Sequence, residues 1–301
     1  MPSRYRIRSR MPLVSAVGLF CAISIAVVLA IDLYARYRED IASAKQAASN
    51  YADILGEHTA NTFRSIEGKL RAVEEIRNRR LRNLLTRDQA SAELSSLMIG
   101  SEGFVAVGWT DASGDVVAHS YDGIPLRNDA PNLSNFIVRR DGSDEGLFIA
   151  LPDRSADGNR SVEISRRLSN ADGSLSGLAT ARIDEGHLFD LARALKLGSR
   201  RSMFLLHRDG TVLAVQPSIA GAIGRPVADG PLLGERLRRS NSGYYETPGA
   251  ADGVARVAAY NAVPGFPLVV LVSYAKADVL ESWYRRFHAD RVPGRGVACG
   301  G

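Results

Sequence analysis

The spacing of apolar residues changes several times along the chain. From Leu13 to Ile31 the run LVSAVGLFCAISIAVVLAI holds 19 residues without a charge. At 1.5 Å per residue a helix of that length spans about 28 Å, close to the hydrocarbon thickness of a bilayer. A core helix is seldom apolar on every face over such a length. A cleaved signal peptide competes with this reading, because Val28-Leu29-Ala30 resembles a small-residue cleavage site. The run is nevertheless longer than the usual apolar region of about 7–15 residues, which favours an uncleaved anchor.

Beyond the anchor the spacing becomes helical. No proline occurs between Pro12 and Pro125, so very long helices are permitted. Tyr34, Tyr37, Ile41, Ala44, Ala48, Tyr51, Leu55, His58 and Thr62 recur in alternating steps of three and four. The pattern continues loosely through Ile66, Leu70 and Val73. A helix running unbroken from the anchor would extend about 65 Å beyond the bilayer. Two readings of the stripe stay open: a weak coiled-coil seam joining two copies of the chain, or a face packed on the chain's own domains. His58 reads as a seam residue rather than a ligand. Thr86-Arg-Asp-Gln89 has capping-box spacing and predicts a second helix through Ala90, Leu94, Leu97 and Met98, ending at Gly100.

After Gly100 the period shortens to that of strands. Phe104–Trp109, the turn Asp111–Gly114 and Val116–His119 predict a hairpin, and Ser202–His207, Arg208–Gly210 and Thr211–Val215 repeat the plan. Arg160–Leu168 and Leu175–Ile183, joined by Asn170–Gly173, predict a further hairpin, answered by Val254–Tyr260 and Pro267–Ser273. Between the halves, a helix is expected from Glu185 to Leu197, capped by Asp184 and stopped at Gly198. The fold class is α+β: a long N-terminal helix followed by two tandem PAS-like antiparallel sheets. The expected divisions are a basic head (1–11), a membrane helix (12–32) and a stalk and helical region (33–100). A membrane-distal sheet unit (101–184), a connecting helix (185–200), a membrane-proximal sheet unit (201–283) and an unstructured tail (284–301) follow.

Charge sharpens this picture. The 301 residues carry a formal net charge of +5. Arg4, Arg6, Arg8 and Arg10 precede the anchor, and Arg285, Arg286, Arg291 and Arg295 lie in the tail beside Asp290. Without these ends, 30 basic and 32 acidic residues remain over 11–284, a net charge of −2. The body is therefore no nucleic-acid binder. The positive-inside rule puts the N-terminus in the cytoplasm and everything after Asp32 outside. Cys21 lies in the anchor and Cys299 near the end, so no disulfide staples the body and no zinc spacing exists. Neither a metal nor a cofactor is expected.

These segments resemble a known family. The motifs that carry the resemblance are Gly146-Leu-Phe-Ile-Ala-Leu-Pro152, Ile164-Ser-Arg-Arg-Leu168 with Ala171-Asp-Gly-Ser174, and Tyr260-Asn-Ala-Val-Pro-Gly265 with Pro267-Leu-Val-Val270. Together with the anchor and the long helix they are similar to the double Cache sensor regions of bacterial receptors, such as diguanylate cyclases and sensor histidine kinases. The resemblance covers about residues 11–283. It implies an inner-membrane receptor with one anchor, a periplasmic body, and a small metabolite bound in the membrane-distal unit. Family members often carry an aromatic pair and a histidine where this chain has Asn135, Phe136 and Arg139. The family's second membrane helix would follow near Trp283, but the sequence there is polar and glycine-rich. The chain thus reads either as a receptor truncated or frameshifted before its output domain, the favoured reading because the tail lacks a periodic pattern, or as a module that works with a separate partner.

The binding surface is expected under the segment from Ser120 to Arg160. Tyr121, Phe136, Arg139, Arg140, Asp141, Phe148 and Arg167 are its candidates. Arginines beside aromatic rings can hold a carboxylate in paired hydrogen bonds, which suggests an anionic metabolite such as an organic acid or an amino acid. A solvated turn in which Arg139 and Arg140 pair with Asp141 or Asp144 is the competing reading. Arg166 and Arg167 are adjacent on a strand and must face opposite sides. Catalysis is not expected: GxSxG, GxxxxGK[ST], HExxH and EF-hand motifs are missing, and His58, His119, His187, His207 and His288 are scattered. A membrane-tethered scaffold without a small ligand, or a tethered hydrolase, remains an alternative.

Overall fold

The computed structural model describes residues 11–120, 147–150, 153–154, 160–184, 186–190, 201–227, 230–248 and 254–281. Helix α1, Met11–Leu81, is one unbroken element of 71 residues. Its first part packs on nothing: Val17, Leu19, Phe20, Ile25, Val28 and Leu29 are all exposed. This is the one described helix long and apolar enough to cross a membrane. The same helix then becomes one-sided. Ile41, Ala48, Ala52, Leu55, Phe63, Ile66, Leu70, Val73 and Ile76 are buried along one stripe. Of the two readings of that stripe, the structure takes packing on the chain's own sheets, from about Ile41 onward. The free-standing stalk is correspondingly short, because the apolar stripe finds a partner within its own chain.

Helix α1 ends in a Schellman arrangement. Asn83 adopts φ 58°, its N–H donates to the Arg80 carbonyl, and the Leu84 N–H donates to that of Arg79. Helix α2, Arg87–Ser96, follows with the expected capping box. Thr86 Oγ1 accepts the Gln89 N–H at 3.2 Å, and the Thr86 N–H donates to Gln89 Oε1 at 2.8 Å. Ala90 and Leu94 face inward, while a two-pronged Arg79–Glu93 ion pair at 2.8 and 3.0 Å ties α2 to α1.

The first sheet contains β1 (Phe104–Thr110), β2 (Val116–His119), β3 (Leu147–Ile149), β4 (Asp153–Arg154), β5 (Arg160–Ser169) and β6 (Leu175–Asp184). Its order is β2-β1-β6-β5-β3, with β4 also pairing to β5. The second contains β7 (Arg201–His207), β8 (Val212–Gln216), β9 (Ser242–Thr247), β10 (Arg256–Ala262) and β11 (Leu268–Ala275), ordered β8-β7-β11-β10-β9. Helix α3, Gly230–Arg239, precedes β9, and the short α4, Lys276–Val279, follows β11. Counting β4 aside, the two sheets share one strand order, so two PAS-like units stand in tandem along α1. The connecting helix expected over 185–197 is described only as a 3-10 turn at His187–Phe189. Its N-cap is Gly186 rather than the expected Asp184, whose carboxylate accepts the His187 N–H at 3.3 Å from the end of β6.

Both sheets turn their inner faces to α1. Val107, Trp109, Ile164, Ala179, Ala181 and Ile183 of the first sheet and Met203, Leu205, Ala259, Val270 and Val272 of the second share one core with the helix stripe. Alanines at 48, 52 and 60 let strands approach closely. At Gly56 a Cβ would sit 3.4 Å from the Asn261 side chain, whose amide donates to Asp53 at 2.6 Å. Phe63, fully buried, meets Phe266 of the β10–β11 turn with ring centroids 5.5 Å apart.

Removing the Phe63 ring leaves a cavity where the helix stripe meets the second sheet. Phe63→Ala is expected to lower unfolding free energy by about 3–5 kcal/mol, read by denaturant unfolding of the detergent-solubilised chain. A loss near that of an exposed residue would contradict the shared core.

Candidate functional site

The outer face of the first sheet, turned away from α1, follows from strand register. Val107, Ala181 and Ile164 stand opposite one another and belong to the inner core. Their neighbours must point the other way. Across five strands this gives one outer row: Phe148 on β3, Ser165 on β5, Thr180 on β6, Gly108 on β1 and His119 on β2. The adjacent row pairs Glu163 with Arg182 and Arg182 with Ala106. The Arg182 guanidinium lies 3.7 Å from the Glu163 carboxylate, with side chains 21% and 17% exposed.

Of these, Ala106, Gly108, His119, Glu163, Thr180 and Arg182, together with Thr110, line a small hollow open to solvent. Thr110 is buried and its hydroxyl accepts the Leu178 N–H at 3.1 Å, while the Thr180 hydroxyl donates to the Gly108 carbonyl at 3.4 Å. The floor therefore offers a carboxylate, a guanidinium, an imidazole and hydroxyls at the edge of an aromatic ring. Groups of this kind can hydrogen-bond a small polar solute, beside the apolar part of the lining. Among the described residues, no group of three His, Cys, Asp or Glu side chains could hold a metal.

Register also separates the two adjacent arginines. Arg166 stands opposite Ala179 of the inner core, and its guanidinium lies 3.7 Å from Glu74 of α1. Arg167 stands opposite Leu178 on the outer face. There its guanidinium donates to Ser169 Oγ at 3.3 Å and to the Gly173 carbonyl at 3.2 Å, at the end of the β5–β6 hairpin. Of the expected binding residues, Phe148 and Arg167 thus share the outer face. Tyr121, Phe136, Arg139, Arg140 and Asp141 lie outside the described residues.

Sequence reasoning missed His119, Glu163, Ser165, Thr180 and Arg182. The signal was the alternation itself: Glu163, Ser165 and Arg167 interleave with Val162, Ile164 and Leu168, and Thr180 and Arg182 with Ala179, Ala181 and Ile183.

The corresponding face of the second sheet is filled. Leu206, Val215, Tyr245, Ala258, Tyr260 and Leu271 form a second core roofed by Leu233 and Leu237 of α3. Where α1 enters this unit, Glu246 of β9 binds Lys45 of α1 at 2.6 Å and Lys276 of α4 at 2.5 Å. Ile41, Val257 and Leu280 pack beside this junction. Hydrogen bonds from Lys276 first and Lys45 second hold the Glu246 carboxyl below its ordinary range.

With this geometry in hand, the likeness to known proteins is informative. Residues 187–273 match the dCache_1_like family, described as a histidine kinase sensor domain. The extracellular domain of a protein named as the histidine kinase rpHK1S-Z16 is 29% identical over 80% of this chain and 98% of its own, with a TM-score of 0.66. The periplasmic sensory domain of the Campylobacter jejuni chemoreceptor Tlp1 has a TM-score of 0.65 at 12% identity, covering 80% of this chain and 98% of that one. A domain of a protein named as a sensory box/GGDEF family member from Vibrio parahaemolyticus has a TM-score of 0.54 at 14% identity, covering 80% and 99%. No curated protein matches the sequence. The double Cache resemblance read from the motifs therefore holds. The chain has the architecture of extracytoplasmic sensor domains found in histidine kinases and chemoreceptors, and the matched proteins are sensor rather than catalytic domains.

The Glu246 junction has a pH signature. Its folded pKa lies below the unfolded value of about 4.3, so its contribution is complete above that pH and is lost as acid protonates the folded carboxylate. Glu246→Gln is expected to melt below the parent at pH 7, with the gap closing towards pH 3. A gap independent of pH would remove the ion pairs as its cause.

Proposed function

We propose that this chain is the extracytoplasmic sensing part of a bacterial transmembrane signalling receptor. Residues 13–31 anchor it in the inner membrane, the arginine-rich head lies in the cytoplasm, and everything after Asp32 lies in the periplasm. A small metabolite, anionic in whole or part such as an organic acid or an amino acid, binds on the outer face of the membrane-distal sheet. Arg139 and Arg140 supply its counter-charge, with Tyr121, Phe136 and Asp141 around them, over a floor of Phe148, His119, Thr180, Arg182 and Arg167. Two copies pair along the exposed side of α1, where Tyr34 and Ile54 are uncovered.

One observation carries this reading. Two units of the same strand order differ on the same face: one is lined by Glu163, Arg182, Thr180 and His119, the other is plugged by leucines and tyrosines under α3. A purely structural pair would be expected to seal both faces, since a hydrogen-bonding floor contributes less to stability than a filled apolar one. The hollow is thus supported as a place for a ligand, and the first sheet as its holder.

Thermal unfolding of the full chain in detergent, across carboxylic acids and amino acids at millimolar concentration, tests this. A ligand at 100 times its Kd stabilises the folded state by about 2.7 kcal/mol. At least one such compound is expected to raise the melting temperature. Thr180→Leu, which fills the hollow, and the double change Arg139→Ala with Arg140→Ala are each expected to abolish the rise. A chain that responds to none of these solutes is a tethered scaffold. A response unchanged in both variants moves the ligand away from this face.

A further inference from the structure

A second hollow lies at the outer end of α1, bordering the first at Trp109 and Thr110. It encloses about 630 Å³ of space open to solvent, bordered by Arg77, Arg80 and Asn83 of the helix end and by Trp109, Asp111 and Ser176 of the strand ends. Arg77 is only 5% exposed. Its guanidinium donates to Asn78 Oδ1 at 3.0 Å and to the Ser176 hydroxyl, both neutral acceptors. Burial lowers its pKa, against the pull of Glu74 one turn earlier.

Arg80, on the same wall, makes no side-chain hydrogen bond or ion pair among the described residues, and neither does the amide of Asn83. Neighbouring Arg79 is different, being held by Glu93 outside the hollow. The left-handed backbone of Asn83 follows from the Schellman end and brings its amide to the hollow's rim.

Among the described residues the charge balance is slightly positive. Glu74 serves Arg166 at 3.7 Å as well as Arg77. Asp111 Oδ1 is turned to its own loop, accepting the N–H groups of Ser113 and Asp115 at 2.8 and 3.0 Å. The C-terminal end of α1 adds about half a negative elementary charge. Two carboxylates and that half charge do not neutralise Arg77, Arg80 and Arg166. A guanidinium taken out of water needs a charged partner, and its planar fork suits a two-oxygen acceptor.

We propose that this notch binds a tetrahedral oxyanion, either free phosphate or the phosphate group of a larger molecule. Two oxygens bridge Arg77 and Arg80, the Asn83 amide donates to a third, and the Trp109 ring walls the apolar side. The site shares Trp109 and Thr110 with the outer-face hollow but draws on different charged groups.

Titration calorimetry of the full chain in detergent, at constant ionic strength set with chloride, tests this with inorganic phosphate and with glycerol phosphate. Saturable binding of at least one is expected. Arg80→Gln, an exchange that unpairs nothing, is expected to weaken it about tenfold or more, as loss of a charge-assisted hydrogen bond would. Arg79→Gln and Thr180→Leu are expected to leave it unchanged, and the Thr180 variant separates this site from the metabolite site. Tighter binding of inorganic phosphate identifies the free ion, and tighter binding of glycerol phosphate identifies an esterified group. No saturable heat with either probe, or equal affinity in Arg80→Gln, overturns the proposal.

Discussion

The constraint on which the structure depends is that one helix must bury a single stripe against two sheets. The stripe runs from Ile41 to Ile76, about 54 Å of helix. Among the described residues α1 is the long apolar partner that both inner faces share. Register follows from this. Rotating α1 by one residue would turn its apolar stripe about 100° away from both sheets at once. The small residues at 48, 52, 56 and 60 set how near the second sheet can come, while Leu70, Val73 and Ile76 fill the wider space against the first. Because interiors are packed to near-crystalline density, a shift of either sheet is felt along the helix instead of being absorbed locally.

That arrangement leaves the outer faces as the places where the units can differ without disturbing the shared core. They have diverged completely. In the second unit α3 lays Leu233 and Leu237 over Tyr245 and Tyr260, and Arg236 rests its guanidinium 5.5 Å from the Tyr245 ring. In the first unit the same face carries an ion pair, a histidine and hydroxyls. The strand order is common; the chemistry belongs to alternate residues of β5 and β6. Because a strand's two faces are independent, one can be held by packing while the other is free to acquire polar groups.

How far the sequence reveals this depends on whether the information is local. Turns are legible because their geometry is set within a few residues: Gly114, Gly173 and Gly210 all take positive φ where the hairpins bend. The capping box at Thr86 is local in the same way, and so is the apolar run of the anchor. What fails is whatever depends on which strands meet. The choice between Arg166 and Arg167 needs the β5–β6 register and the nearness of Glu74, 92 positions earlier in the sequence. The helix stripe is visible by its period, but period alone does not distinguish a partner chain from the chain's own sheets. The outer floor escaped notice for a related reason. Glu163, Thr180 and Arg182 are unremarkable singly and become a surface only when β1, β6 and β5 lie side by side.

The Glu246 junction connects these points. Lys45 belongs to α1 near the start of its buried stripe, and Lys276 belongs to α4 just after the last strand ends. One carboxylate therefore fastens the incoming helix to the outgoing end of the fold, beside Ile41, Val257 and Leu280. Strands β9, β10 and β11 are consecutive neighbours in the sheet, so a displacement of that sheet along α1 acts on this carboxylate from both sides. Ion pairs of this exposure contribute little to stability, so this tie is weak beside the apolar packing next to it. The apolar stripe sets the position of α1, and the Glu246 ion pairs link that helix to α4 where the chain leaves the sheet.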